Sequence, residues 1–241
     1  MPKLNNVLFV PYSAKKIHEH STVPKLANVF LSSGAEVILV QLDDPIDGIP
    51  HGCQIIKDTG WKFELAFKHL KGKQFRHLYV WDSDIDPLEF DPNQFSQIME
   101  KNWIDTGHPA LSHDSFQDWA NGYVDNHTLQ EQFIGRYMSC LPVMALTFNQ
   151  RAWNILDTLF DQRYSGELWS YGFAPTGNKA FVDSMPICHT REVSPRYEND
   201  PAYIEMDLKM FDAMIRLGVR HPCMSVSDWM QCGKFNRLND D

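Results

Sequence analysis

Two short apolar runs flanking one amphipathic helix constrain this chain more than any other feature. Val7-Leu8-Phe9-Val10 stops at Pro11, as a buried strand feeding a loop does, and Glu36 to Leu42 (EVILVQL) stops at Asp43-Asp44-Pro45. Between them Ser21-Thr22 offers a helix N-cap with Pro24 close to the first turn. Val23, Leu26, Phe30 and Leu31 then share a face before Gly34 stops the helix. Strand, crossover helix, strand is the unit that builds parallel sheets with helices on their faces.

The alternation continues. A loop rich in Gly, Pro and Asp runs to Gly60, Phe63, Phe67 and Leu70 mark a short helix, and His77 to Trp81 (HLYVW) reads as the third strand. Asp91-Pro92 opens a helix by cap and proline, with Phe95, Ile98 and Met99 inward. Ala110 to His113 reads as a fourth strand, and Pro142 to Phe148 as a fifth, capped by Asn149 into a helix carrying Ala152, Trp153, Leu156 and Phe160. Phe181 to Ile187 reads as one more strand, and a last helix from Asp200-Pro201 to Gly218 carries Ile204, Leu208, Phe211 and Ile215. His221 to Asp241 loses apolar periodicity and reads as an irregular tail. The class is α/β.

Composition narrows the function. Hydrophobic residues make up 43% of the 241-residue chain, which excludes a disordered polymer. Lys and Arg number 22 against 31 Asp and Glu, a formal charge of −9, so no surface built to neutralise phosphodiesters is expected and nucleic acid is not an expected partner. The five cysteines are widely spaced without a C-x-x-C pair, which suits a reducing compartment. The apolar run before Pro11 is too short for a signal-peptide core, and no later run approaches the roughly 18 residues of a membrane span. The expectation is a soluble, cytoplasmic protein without a transmembrane segment.

The chemistry concentrates in Asp82-Ser83-Asp84-Ile85-Asp86, directly after the third strand. The carboxyl end of a strand is where open α/β sheets place their ligands. Carboxylates at alternate positions repel one another, and a hard cation such as Mg2+ or Mn2+ relieves that repulsion while gripping a phosphate. The plainer alternative is that these Asp residues cap the strand and turn the chain, Asp86 before Pro87 above all. An EF-hand loop is excluded because it needs Gly and Glu where Pro87 and Asn93 stand. A phosphatase of the haloacid-dehalogenase type places D-x-D on its first strand, followed by Thr or Val. The D-x-D of nucleotide-sugar-dependent glycosyltransferases does fall after an N-terminal nucleotide-binding half.

Five blocks in order sharpen that reading: Trp61-Lys62-Phe63-Glu64-Leu65-Ala66-Phe67, Tyr79-Val80-Trp81-Asp82-Ser83-Asp84, His108-Pro109-Ala110-Leu111, Leu141-Pro142-Val143-Met144 with Arg151-Ala152-Trp153, and Val182-Asp183-Ser184 with His189. Together, over about residues 5 to 192, they resemble the uncharacterised family called domain of unknown function seven-zero-seven, itself similar to GT-A-fold glycosyltransferases. The resemblance implies a single GT-A-like (Rossmann-related) domain over 1–220, with a mixed, mostly parallel sheet flanked by helices. Residues 1–90 would form the nucleotide-binding half, 91–220 the acceptor half and 221–241 the tail.

The same resemblance implies site residues. Asp82 and Asp84, with Ser83 between them, match the D-x-D, and His189 stands where many GT-A enzymes supply the remaining metal ligand. Asp43 occupies the position that holds the nucleotide base, with Tyr12 and Ser13 beside base and ribose. Lys62 and Arg191 would meet the diphosphate, Arg136 more weakly, and Trp169 would be a platform for an acceptor sugar. Each also has an ordinary reading: loop histidine, turn aspartates, solvated helix lysine, core tryptophan.

The chain departs from the family where inverting enzymes keep their base. It reads Gly166-Glu167-Leu168-Trp169-Ser170-Tyr171-Gly172-Phe173, so Glu167 and Asp183 become the substitutes, or the reaction retains configuration and needs no such base. The expected function is a Mn2+- or Mg2+-dependent glycosyltransferase of hexosyltransferase type. It would move sugar from a nucleoside diphosphate donor to a saccharide or lipid-linked acceptor, as in cell-surface polysaccharide synthesis. The alternatives are a metal-dependent phosphohydrolase with Asp82 as nucleophile, or an inactive nucleotide-sugar-binding protein of the same fold.

Overall fold

The computed structural model describes residues 4–116, 129–138, 141–159, 176–191 and, as backbone, 231–235. The chain opens with β1 (Val7–Tyr12), α1 (Glu19–Ser32) and β2 (Glu36–Gln41), followed by β3 (Gln54–Lys57), α2 (Lys62–Leu70), β4 (His77–Trp81) and β5 (Ile85–Asp86). α3 (Pro92–Lys101), β6 (Thr106–Leu111), β7 (Gly135–Met138), β8 (Ala145–Asn149), α4 (Gln150–Leu159), β9 (Lys179–His189) and β10 (Gln231–Phe235) complete it. One mixed sheet runs in the order β10-β7-β9-β6-β8-β4-β1-β2-β3, with β5 on β9. It is parallel through β3-β2-β1-β4 and again at β6-β9, with antiparallel β8 between.

Alternation along the strands explains why the sequence runs are apolar at nearly every position. Leu8, Val10, Tyr12, Leu39, Tyr79 and Trp81 turn to one face of the sheet and pack with Phe30 of α1 and Phe95 of α3. Val7, Phe9, Ile38, Val40, Leu78 and Val80 turn to the other and meet Phe63 and Phe67 of α2 and Trp153 of α4. Both faces are covered, so β1, β2 and β4 are apolar at nearly every position.

The expected caps hold at two helices. Asp91 accepts from the amides of Asn93 and Gln94 ahead of α3, and Asn149 accepts from Ala152 ahead of α4. At α1 the expectation fails. The helix begins at Glu19, the Ser21 and Thr22 hydroxyls bond back to His18 O, and Pro24 lies inside the helix. Four strands, β3, β5, β7 and β10, escaped the sequence reading. β3 is an edge strand with a largely exposed face, and β10 pairs with β7 inside the stretch expected to be an irregular tail. The expected last helix, 200–218, lies outside the described residues.

Arg136 of β7 and Asp183 of β9 form a fully buried ion pair. Nε and one terminal nitrogen of the guanidinium each donate at 2.8 Å to the carboxylate, which also accepts from the Gln130 amide. Removing one partner strands a charge, whereas removing both does not. Asp183→Ala is therefore expected to cost about 3–5 kcal/mol in urea unfolding, and Arg136→Met/Asp183→Leu much less.

His77, the first residue of β4, is buried, and its Nδ1 has no hydrogen-bond partner among the described residues. Burial lowers its pKa from 6.5 to about 4. The unfolded imidazole thus takes up its proton at a higher pH than the folded one. Stability should be unaffected above pH 6.5 and should fall by about 3 kcal/mol as pH drops toward 4. In denaturant melts at pH 7 and pH 4.5, His77→Phe should show a smaller difference than the parent chain.

Candidate active site

Five of the residues singled out in the sequence converge where β4 ends. Asp82 leaves the strand with its amide bonded to Met144 O at 2.8 Å, which extends the β4-β8 pairing by one step. The chain then runs through Ser83, whose carbonyl accepts from Thr22 of α1, to Asp84 and β5. β5 pairs antiparallel with the end of β9, Ile85 opposite His189, and both the amide and the hydroxyl of Thr190 donate to Asp84 O. That short pairing carries His189 to Asp84 across more than a hundred residues of sequence.

The side chains follow. Lys62, the first residue of α2, is buried and sends Nζ to Asp82 Oδ1 at 2.6 Å and to Val143 O at 2.8 Å. It is not a solvated helix lysine. His189 Nδ1 donates to Phe116 O at 3.1 Å, which turns Nε2 toward Asp84 Oδ1 at 3.4 Å. That oxygen is buried and has no hydrogen-bond partner among the described residues. Burial pulls the Asp84 pKa up, but His189 and Lys16 outweigh it and hold the carboxyl below its ordinary value. Burial likewise pulls His189 down, and Asp84 more than compensates. Asp82 moves the other way: burial and the charge of Asp84 raise it against the pull of Lys62.

Two acceptors facing each other with only 3.4 Å between them need a proton or a cation there. A divalent ion bound at about 2.1 Å to each fits that separation. The carbonyl on Nδ1 also fixes the tautomer a metal-binding histidine requires. Among the described residues no group of three or more His, Cys, Asp and Glu is arranged to hold a metal.

Ser13 and Asp43 form a second group beside the first. The Ser13 hydroxyl and the Ala14 amide donate to the two oxygens of Asp43. Against the upward effect of burial, these bonds keep the carboxyl below its ordinary range. Glu19, 1% exposed, accepts from the Ser13 amide and pairs with Lys16 at 3.0 Å. Burial lowers the Lys16 pKa, and Glu19, Asp84 and Asp82 together raise it past its usual value, so this ammonium belongs to the diacid's surroundings. Lys16 was missed in the sequence, where a lysine in a polar loop carries no signal of its own.

Other expectations are corrected. Tyr12 is 1% exposed in the core beneath the loop, its hydroxyl directed to Gln41, so it offers no ring face to a base. Asp183 is committed to Arg136 and is not an open base. Asp86 binds Lys25 with both oxygens and accepts from the Leu88 amide, a turn residue. Arg191 is half-buried two residues past His189. Glu167 and Trp169 lie outside the described residues.

The Lys62 contact is testable by itself. Lys62→Met should cost about 2 kcal/mol in urea melts at pH 7 by leaving Asp82 unpaired beside Asp84, and adding Asp82→Asn should recover most of that loss.

No protein-family model matches the chain, and no curated protein matches its sequence. Among solved structures it is similar to S. aureus TarS 1–349, with a TM-score of 0.53 and 9% identity over 88% of this chain and 66% of that one. It is also similar to TarS 1–349 in complex with UDP-GlcNAc, with a TM-score of 0.55, 9% identity, and 88% and 67% covered. The chain thus spans about two thirds of the TarS structures it matches. At this identity the likeness establishes the fold, which is GT-A-like, as the sequence implied.

Proposed function

We propose that this glycosyltransferase-like fold transfers a sugar from a nucleoside diphosphate sugar to a saccharide or lipid-linked acceptor. The observation that carries the reading is the Asp84–His189 pair at the carboxyl ends of the central strands, with Lys62, Asp82 and Lys16 around it. This is a negatively charged corner already provided with cations, at the place where α/β sheets bind phosphate ligands. The UDP-GlcNAc held by TarS belongs to the donor class proposed here. Membership in domain of unknown function seven-zero-seven is part of the same proposal, as is a cytoplasmic location. Among the described residues no helix is long and apolar enough to cross a membrane.

In this reading Asp84 and His189 hold Mn2+ or Mg2+, with Asp82 beside them. Such a cation supplies charge neutralisation for a departing diphosphate. The chain's own groups do the rest. Lys62 and Lys16 present fixed positive charge where negative charge grows on the leaving oxygen, which helps most when it is preorganised in a shielded site. Asp43, with Ser13, orients the nucleoside end. The acceptor hydroxyl oxygen attacks the anomeric carbon as the bond to the diphosphate breaks. The bond's electron pair leaves with the phosphate, and the hydroxyl proton passes to a carboxylate, for which Glu167 is the candidate once Asp183 is spent on Arg136. Asp82 is a poor phosphohydrolase nucleophile, since Lys62 occupies one of its oxygens.

The test is donor hydrolysis together with thermal shift. UDP-GlcNAc with Mn2+ at a hundredfold excess over its Kd should stabilise the chain by about 2.7 kcal/mol. Asp84→Asn should remove the Mn2+-dependent part of that shift and slow donor hydrolysis by about 100-fold or more. Hydrolysis undiminished in Asp84→Asn would refute the assignment. Acyl-phosphate trapped on Asp82 would point to the phosphohydrolase, and binding without turnover to an inactive binder.

A further inference from the structure

The opposite end of the sheet carries a cleft with a volume of about 490 Å³. It opens where β4 begins, at His77, whose backbone partner is Asn149 at the end of β8. The five residues of β4 separate it from Asp82 by about 17 Å, so it is not part of the donor site.

One wall is a tryptophan in an unusual place. α3 ends in a paired hydrogen-bond motif, Trp103 N to Glu100 O and Ile104 N to Met99 O, which puts Trp103 in the left-handed conformation at φ 52°. Glycine is the residue this position favours, and a bulky aromatic there is a costly exception. The ring is not compensated by burial, for Trp103 is 81% exposed. Its backbone is nonetheless held firmly: Asn178 Nδ2 donates to Trp103 O at 3.0 Å, and the Tyr137 hydroxyl to Asn102 O at 2.7 Å. Local preference and burial among the described residues both argue against tryptophan here, and its exposed ring beside the cleft suits contact with a ligand.

The other walls say which ligand. Glu100 is matched by the Arg76 guanidinium through two bonds of 2.8 Å. Asp105 faces Arg151, 71% exposed, at 4.0 Å. The charges cancel in pairs, so the lining carries no net charge to select an anion or a cation. His77 borders the cleft as a buried residue, and Gln150 and Asn178 add amides. An exposed aromatic face beside donors and acceptors of no net charge suits a polyhydroxylated ring with one apolar side.

We infer that the Trp103 cleft is a binding site for a neutral saccharide, separate from the donor site. The inference goes beyond the transferase reading and does not need it. Saturation-transfer NMR on the full chain, with the methyl glycosides of glucose, galactose and N-acetylglucosamine and with cellobiose at millimolar concentration, tests it. At least one should show transfer, weakened by about tenfold or more in Trp103→Ala and in Trp103→Gly. Trp103→Gly should also melt at a higher temperature than the parent, which a merely structural tryptophan would not allow. UDP-GlcNAc binding, read in the same samples, should be unchanged in both variants, so failure of one site is distinguishable from failure of the other. The inference is overturned if none of the four probes shows transfer, if their signals survive both substitutions, or if uridine alone gives the Trp103-dependent signal.

Discussion

Two carboxylates one residue apart at the end of a buried strand are an electrostatic liability, and the surrounding architecture is arranged to answer it. Lys62 answers Asp82 from the first turn of α2, His189 answers Asp84 from the end of β9, and Lys16 reaches the pair from the β1–α1 loop under the control of buried Glu19. Each cation arrives from a different part of the chain, so the arrangement exists only when α2, β9 and the first loop are all in place. The two acids respond unequally. The Asp84 carboxyl is held below its ordinary value by its histidine, while burial and its neighbour raise that of Asp82.

The position of that diacid is fixed by packing behind it. Tyr79 and Trp81, on the face of β4 covered by α1 and α3, meet Phe30, Phe90 and Phe95 edge-on or tilted, with ring centroids 4.8 to 6.1 Å apart. The Tyr79 hydroxyl bonds Pro92 O and Ser96, and Ser96 bonds Asn6 at the foot of β1. The Trp81 indole donates to Thr147 of β8. Aromatic edges and polar tips together fix the register of β4 against both neighbours, which a plain aliphatic strand would leave to shape alone. Asp82 begins one residue after this locked segment.

What the sequence disclosed and what it hid divide along physical lines. Buried strands such as β1, β2 and β4 announce themselves because both faces are apolar, and the helices after Asp91 and Asn149 because a capping side chain works within four residues. The D-x-D and His189 were legible as residue types at strand ends. β3 was not, since an edge strand reads Gln-Ile-Ile-Lys and exposes most of itself, and β7 was not, because its one charged residue is buried only by virtue of Asp183 on a strand more than forty residues away. For the same reason Asp183 looked like a candidate base and Lys62 like a loose surface cation. Ion pairing over long sequence separation leaves no local trace, so the partner of a charge is the part that sequence reading recovers least.

The separation of the two sites limits how they can act on each other. About 17 Å along β4 separates them, so the direct effect of charge at the diacid on the Trp103 cleft is weakened by distance. Between them lies a close-packed sheet with no alternative packing in evidence, and spatial intermediacy by itself is no coupling mechanism. What remains is tethering. A saccharide gripped at Trp103 raises the local concentration of whatever is covalently attached to it, by an amount set by the length of the connecting chain. Such an effect requires an extended, oligomeric acceptor. A monosaccharide held in the cleft leaves the diacid untouched, so the geometry ties any influence of one site on the other to acceptor length.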